Sequence, residues 1–283
     1  MRDNMTVVTM DNTPKEYDED TLKHIQSVLL DILKDFIDIC EENNIEYYCD
    51  GGTVLGAIRH QGFIPWDDDI DIQIFRPEYE KFYEIMKDGN EKYELITLDT
   101  KGFFRLTPLL SLKHTKSGVP WDLNTDFTWG LGLDIGILDN VPTNKFKRFV
   151  FIKRALLLKR LNLLLLAMVN DRFYSKTSEK IGHVLKKVFK IIGINKNFVK
   201  KRYSKLNSYP KGKEVANLHC SGTFYPLPIE IFSPAKKAKF ESITVNIPND
   251  YDTYLKILYD DYMTLPPKEE RVNHGFEVDF GPY

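Results

Sequence analysis

This 283-residue sequence has few cysteines and only short apolar runs, and its first 20 residues are not apolar. Its three cysteines, Cys40, Cys49 and Cys220, are odd in number and lack the spacing of metal ligands. That pattern fits a reducing compartment, most simply the cytoplasm. Residues 1–20 are polar and acidic, so we expect no signal peptide.

The longest apolar stretch, Leu161–Val169, is much shorter than the roughly 20 residues that a membrane-spanning helix needs. The charged residues Lys159 and Arg160 precede this stretch directly, and the amide of Asn162 interrupts it. We therefore expect either a helix of the protein core or a helix that lies on an anionic membrane surface, and no membrane span.

Acidic residues are almost missing from one segment of the chain. Lys145–Lys213 contains 20 Lys and Arg but only 2 Asp and Glu, a net charge of +18. Because the whole chain carries −2, the remainder carries about −20. A basic segment on an acidic protein indicates an anionic partner, and nucleic acid, an anionic membrane face and a phosphate-bearing substrate are the candidates.

Apolar periodicity predicts a mixture of helices and strands, so we expect the α+β class. Predicted helices are Thr21–Asn44, Thr53–Arg59, Pro77–Lys87 and Asp250–Met263, with a basic helical stretch at Phe146–Leu206. Predicted strands are Ile45–Cys49, Ile70–Phe75, Glu94–Leu98, Phe104–Leu112 and Gly132–Ile137.

Composition divides the chain into four predicted parts. A polar tail at 1–20 precedes a mixed core at 21–144, and a basic helical subdomain follows at 145–213. The last part, 214–283, returns to mixed structure and is predicted to complete the core.

The strongest chemical signal is the run PWDDDIDIQI, which begins at Pro65. If the run enters a strand, a period of two places Asp67, Asp69 and Asp71 on one face and the isoleucines on the other, while Asp68 faces away. Three neighbouring carboxylates repel one another unless a cation lies between them. Mg²⁺, or Mn²⁺, is the expected cofactor because hard cations prefer oxygen ligands.

A glycine pair precedes this run and adds a second element of a phosphate site. Gly51 and Gly52 lie between a predicted strand and a helix capped by Thr53, a turn that lets an anion approach the helix N-terminus. This order predicts a nucleotidyltransferase-like mixed sheet flanked by helices, with a mostly helical basic insertion. Asp134 lies in an apolar strand, where burial of a lone Asp is costly, so we expect it to add a carboxylate from a neighbouring strand to the Asp-x-Asp pair.

These residues also carry a resemblance to the LicD family, which includes bacterial phosphocholine transferases and is related to fukutin-type ribitol-phosphate transferases. The matching blocks are Gly52–His60, Gly62–Asp71, Leu133–Ile135 and Ile247–Pro267. Together the resemblance covers about residues 22–140 and 236–272. Family proteins often have Gly at position 260, where this chain has Asp260.

The resemblance implies transfer of a phospho-alcohol from a CDP-linked donor, such as CDP-choline, to a sugar hydroxyl, with release of CMP. Asp69 and Asp71 are then the predicted metal ligands, and Asp67 or Asp134 takes the proton of the acceptor. Arg59 and Lys113 are further candidates, either for phosphate contacts or for ordinary surface ion pairs.

A choline group would lie against aromatic faces, for which Trp121, Phe127 and Trp129 are candidates unless they belong to the core. The predicted partners are a CDP-alcohol and a glycan or lipid-linked glycan acceptor, with peripheral contact between the basic segment and the inner membrane face. A nucleotidyltransferase that releases pyrophosphate is the alternative. A nucleic-acid partner is not expected, because it leaves the aspartates unexplained.

Overall fold

The structure of the chain, a computed structural model, describes residues 16–103, 105–118, 128–169, 176–206, 212–217, 226–275 and 277–283. Helix α1, Glu19–Glu42, begins where the Asp18 carboxylate accepts the backbone N–H of Thr21 at 2.8 Å. Its apolar side chains recur at helical spacing and face the core. The buried face contains Leu22, Ile25, Val28, Leu29, Ile32, Leu33, Phe36, Ile37 and Cys40.

The main sheet has seven strands in a mixed arrangement. They are β1 Tyr48–Cys49, β2 Asp71–Phe75, β3 Tyr93–Ile96, β4 Leu109–Leu112, β6 Gly132–Asn140, β7 Glu214–Asn217 and β8 Leu227–Pro228. Their order is β1-β2-β6-β4-β3, and β7 joins the second half of β6 and pairs with β8. Within this sheet β2 and β6 are parallel, while the other pairs are antiparallel.

Smaller elements surround this sheet. Helices α2 Gly51–Arg59, α3 Arg76–Met86 and α7 Tyr251–Tyr259 flank it, and a hairpin joins β9 Lys236–Phe240 to β10 Ile243–Ile247. Strand β5, Lys116–Gly118, pairs with β11, Glu277–Asp279. The predicted α+β class, with a mixed sheet flanked by helices, is confirmed.

The basic segment forms three helices, α4 Lys145–Val169, α5 Lys176–Ile192 and α6 Lys196–Ser204. They share one apolar cluster with residues that lie outside the segment. The buried members are Leu106, Val141, Phe151, Ala155, Leu158, Leu165, Val199, Tyr203, Leu206 and Ala216. In α4 the apolar stretch is thus partly core, and none of the helices described has the length and apolarity needed to cross a membrane.

Element ends differ from the predictions where the backbone changes direction. The predicted strand at Ile45 begins only at Tyr48, because the Ile45 N–H still bonds to the carbonyl of Cys40. Helix α7 ends at Tyr259 rather than Met263, since Asp260 has φ 57°, a conformation that favours glycine.

Candidate active site

The start of β2 is the centre of the candidate site. Parallel pairing places Asp71 directly beside Asp134 of β6. The Asp71 N–H bonds to the hydroxyl of Thr53 at 3.0 Å, and the Asp134 N–H bonds to the carbonyl of Ile70. Two strands and the first turn of α2 therefore hold two carboxylates together.

Asp67 and Asp69 reach this place from a loop, which corrects the strand geometry expected for them. Strand β2 starts only at Asp71, and the Asp67 N–H closes a turn with the carbonyl of Ile64. A side-chain amide of α1, from Gln26, also holds the Asp67 carbonyl at 2.9 Å. The predicted inward face is nevertheless present, since the isoleucines of the run are buried: Ile70, Ile72 and Ile74.

The glycine pair makes room for these carboxylates. A Cβ at Gly52 would lie 2.9 Å from Oδ2 of Asp67, and one at Gly51 would lie 3.8 Å from Oδ2 of Asp71. Gly51 also has φ 45°, which glycine adopts without strain. Two of the four carboxylates therefore lie against the positive end of α2.

The predicted role of Thr53 as a helix cap is wrong. Helix α2 begins two residues earlier, with Asp50 in the capping position, because the Thr53 and Val54 N–H groups both bond to the Asp50 carbonyl. Thr53 is buried inside the first turn, where its hydroxyl accepts the Asp71 N–H. It positions the strand that carries Asp71.

The electrostatics of the four carboxylates suit a cation placed among them. Burial and the neighbouring carboxylates raise the pKa of Asp67 and Asp71 well above the usual range, and burial raises the pKa of Asp69 to about 6. Oδ1 of Asp134 is buried with no hydrogen-bond partner. A divalent cation would satisfy that oxygen and relieve the repulsion, so these residues fit Mg²⁺ or Mn²⁺.

The side chains are not yet arranged around a metal. Among the described residues, no three His, Cys, Asp or Glu side chains stand in a metal-holding geometry. Asp67 and Asp69 share a hydrogen bond, and Asp134 accepts one from Arg105. Binding of a cation would require these carboxylates to turn toward it.

Arg105 is a site residue that the sequence analysis missed. Its guanidinium donates to Oδ2 of Asp134. Burial alone would lower its pKa, but the charges of Asp134, Asp71 and Asp69 raise it. A lone Arg in an irregular stretch carries no sequence signal, and the contact became visible only once the strands were paired.

A second missed group lies under the glycine turn. The Tyr254 hydroxyl of α7 donates to Asp50 and accepts the Gly51 N–H at 3.2 Å. Gln73 and Asn217 also bond to the Asp50 carboxyl, whose pKa is raised by burial. This network connects the strand before α2 to a helix that follows it by about 200 residues.

Tyr259 is the third missed residue. Its hydroxyl lies 3.4 Å from the position that a Cβ on Gly51 would take. Burial, together with the charges of Asp50 and Asp71, raises its pKa far above the usual range. A neutral phenol therefore faces the carboxylates.

Arg59 and Lys113 do not join the carboxylates. Arg59 ends α2, about 12 Å along the axis from Gly51, and donates to the Tyr262 carbonyl at 2.8 Å and to His60. Lys113 follows β4 and donates to the Asn90 carbonyl. Both side chains support loops in this structure.

Trp129 also lies apart, buried in a small apolar cluster against Phe103, with ring centroids 5.7 Å apart and perpendicular planes. Trp121 and Phe127, the other predicted aromatics, fall outside the described residues. An aromatic next to the aspartates was missed: the Arg271 guanidinium covers the ring of Trp66 at 5.2 Å.

The loop that carries Asp67 and Asp69 is also held by a residue near the end of the described chain, His274. Nδ1 of His274 lies 2.6 Å from Oδ1 of Asp68, whose side chain is buried. This hydrogen bond raises the His274 pKa to about 9. The ion pair fixes the loop while Asp67 and Asp69 face the site.

Several known proteins are similar to this chain in sequence. A family profile described as "LicD/FKTN/FKRP, nucleotidyltransferase domain" matches residues 44–107. The lipopolysaccharide cholinephosphotransferase LicD of Haemophilus influenzae is 30% identical over 271 residues, which is 91% of this chain and 97% of that protein. The ribitol 5-phosphate transferase FKRP of Homo sapiens is 41% identical over 39 residues, which is 14% of this chain and 8% of that protein.

Proposed function

Because the chain belongs to the LicD family and is thus a transferase of phosphate-containing groups, we propose a specific reaction for it. The enzyme moves phosphocholine, or a similar phospho-alcohol, from a CDP-alcohol to a hydroxyl of a cell-surface glycan precursor and releases CMP. The observation that carries this proposal is the cluster of four aspartates at the glycine turn of α2. Such a cluster suits a diphosphate donor that arrives with a divalent metal.

Asp69, Asp71 and the free oxygen of Asp134 are the groups that would hold Mg²⁺ or Mn²⁺. The bound cation would neutralise the diphosphate and the departing CMP. Asp67 is left to accept the proton of the acceptor hydroxyl, because Arg105 already engages Asp134. The turn at Gly51 and Gly52 lets a phosphate approach the N-terminus of α2 closely.

The test is to incubate the protein with Mg²⁺ and CDP-choline, CDP-ethanolamine, CDP-glycerol or CDP-ribitol, with candidate glycans present, and to measure CMP. We expect one donor to release CMP only with an acceptor. Asp71→Asn should lower that rate about 100-fold or more, because it removes charge stabilisation. Asp31→Asn, an exposed aspartate on α1, is the matched control and should keep full activity.

The affinity for metal is measured separately, by titrating the protein with Mn²⁺ and following the electron paramagnetic resonance signal of Mn²⁺. Asp71→Asn should weaken Mn²⁺ binding, whereas Asp31→Asn should not. Unchanged Mn²⁺ affinity and activity in Asp71→Asn would reject the proposal.

The alternative is a nucleotidyltransferase that attacks the α-phosphate of a nucleoside triphosphate. The domain description of the matching family favours this chemistry, since it names a nucleotidyltransferase domain. The product separates the two reactions. Release of pyrophosphate from CTP, with no CMP from any CDP-alcohol, would replace the first proposal by the second.

A further inference from the structure

The helices of the basic segment expose apolar side chains on the surface. Of the 13 large apolar residues found exposed in the described part of the chain, 7 lie in α4 and α5. Exposed apolar groups that cluster on one surface usually mark a binding region. These seven lie within the most cationic segment of the protein.

On α4 the exposed residues form one stripe. The stripe contains Phe146, Phe149 and Leu157 together with the exposed cations Lys153 and Arg160. Successive members are three or four residues apart and therefore lie on one face of the helix. Phe146 is 75% exposed, and the Lys153 ammonium lies 5.5 Å above the ring of Phe149. The core-facing side of α4 is a different one, so this stripe is not part of the apolar core.

Helix α5 repeats the arrangement. Val184, Val188 and Ile191 lie at i, i+4 and i+7, and Ile191 is 83% exposed. Lys187 and Lys190 are exposed beside this face. Together with the stripe of α4, this face is called the basic–apolar surface.

We propose that the basic–apolar surface binds the face of a bilayer that contains anionic phospholipid. Aromatic and aliphatic groups would enter the headgroup region, and the lysines would contact lipid phosphates. Charge complementarity favours this occupant, because residues 145–213 carry a net charge of +18. A second copy that presented the same surface would bring the same charge and be repelled, and nucleic-acid contacts are mainly polar.

The surface and the carboxylate cluster belong to different parts of the chain. None of the stripe residues contributes to the aspartate site described above. The proposal therefore stands whichever donor the enzyme uses, and its failure would leave the proposed reaction untouched.

The charge test is co-sedimentation with vesicles of phosphatidylcholine and phosphatidylglycerol, compared with phosphatidylcholine alone. Each lysine near an anionic surface contributes about a factor of five, so reversing Lys153, Lys187 and Lys190 to Glu should reduce binding at least about 100-fold. The matched control reverses Lys34, Lys81 and Lys87 to Glu, which gives the same net charge on exposed sites elsewhere. The control should lose much less binding.

The apolar test replaces Val184, Val188 and Ile191 by Ser. Binding should fall about 10-fold or more, since apolar insertion is lost. Ser at the exposed Ile85, Ile257 and Val272 is the matched control and should bind as the parent protein does. Thermal melting of all variants checks that the fold is retained.

A position-specific readout complements these variants. Tryptophan introduced as Ile191→Trp should show blue-shifted emission with anionic vesicles, in a difference spectrum against the parent protein, whereas Ile85→Trp should not. Equal losses in test and control variants, or equal binding to neutral vesicles, would overturn the proposal. So would a dimer or an RNA complex that depends on Ile191 without any vesicle binding.

Discussion

Asp139 lies at the end of β6 and is fully buried. Both of its oxygens accept from the Arg76 guanidinium at 2.7 Å, in the bidentate geometry that makes such pairs strong. The structure assigns it to the joint between β6 and α3.

Replacing Asp139 by Ala should therefore lower the free energy of unfolding by about 3–5 kcal/mol, because the Arg76 charge loses its buried partner. Urea unfolding followed by circular dichroism measures this change. The exposed pair of Lys34 and Asp31 is the control, where Asp31→Ala should cost less than about 1 kcal/mol. Equal losses at the two sites would contradict the assignment.

Residue identity predicted part of the site and missed the rest for a physical reason. Asp67, Asp69, Asp71 and Asp134 carry their signal in local patterns of charge and apolar alternation, and the structure brings them together. The contacts of Arg105 with Asp134 and of Tyr254 with Asp50 depend on pairing across the chain. No local pattern encodes such pairs.

At the scale of elements, α1 and α3 were predicted to within two residues because each has a clear apolar face. The inward isoleucines likewise predicted β2. The strand spacing considered for the aspartates before β2 does not hold, because alternation of charged and apolar residues looks the same in a strand and in a loop. Backbone turns, such as the one that holds Asp67, decide the difference.

Helix α2 contains two glycines whose replacement should have different effects. A Cβ at Gly56 would lie 2.4 Å from the Gly62 carbonyl oxygen, which is backbone and unable to move freely. A Cβ at Gly52 would meet only the Asp67 carboxylate, which can rotate away. Gly56 is therefore needed for close packing, and Gly52 is needed to leave space for the Asp67 carboxylate.

We expect Gly56→Ala to lower stability by about 1–3 kcal/mol, as overpacking does. Gly52→Ala should leave stability within about 1 kcal/mol but weaken Mn²⁺ binding and CMP release, because Asp67 is displaced. Urea titration and the Mn²⁺ signal measure both effects. The assignment would be wrong if Gly52→Ala unfolded the protein or left both functions unchanged.

At the scale of the whole molecule, the described helices of the predicted basic subdomain, residues 145–213, pack on neighbouring parts of the chain. The helices of the basic segment share their apolar cluster with Leu106, Val141 and Ala216. A hydrogen bond of 2.7 Å from the Lys196 ammonium to the Thr100 carbonyl further ties α6 to the core. Shared burial of this kind couples the stability of neighbouring parts.

We therefore expect a single unfolding transition. Far-UV circular dichroism follows mainly the helices, and tryptophan fluorescence reports on Trp66 and Trp129 in the core. The two curves should coincide in urea. An earlier loss of the dichroism signal would mean that residues 145–213 unfold on their own.

The bond between Tyr254 and Asp50 spans 204 positions. A ribosome adds roughly 5–20 residues per second, so Asp50 is made about 10–40 s before Tyr254. During that interval the aspartate loop has no partner from α7 or from His274. The newly made chain can therefore complete this side of the site only after α7 has been made.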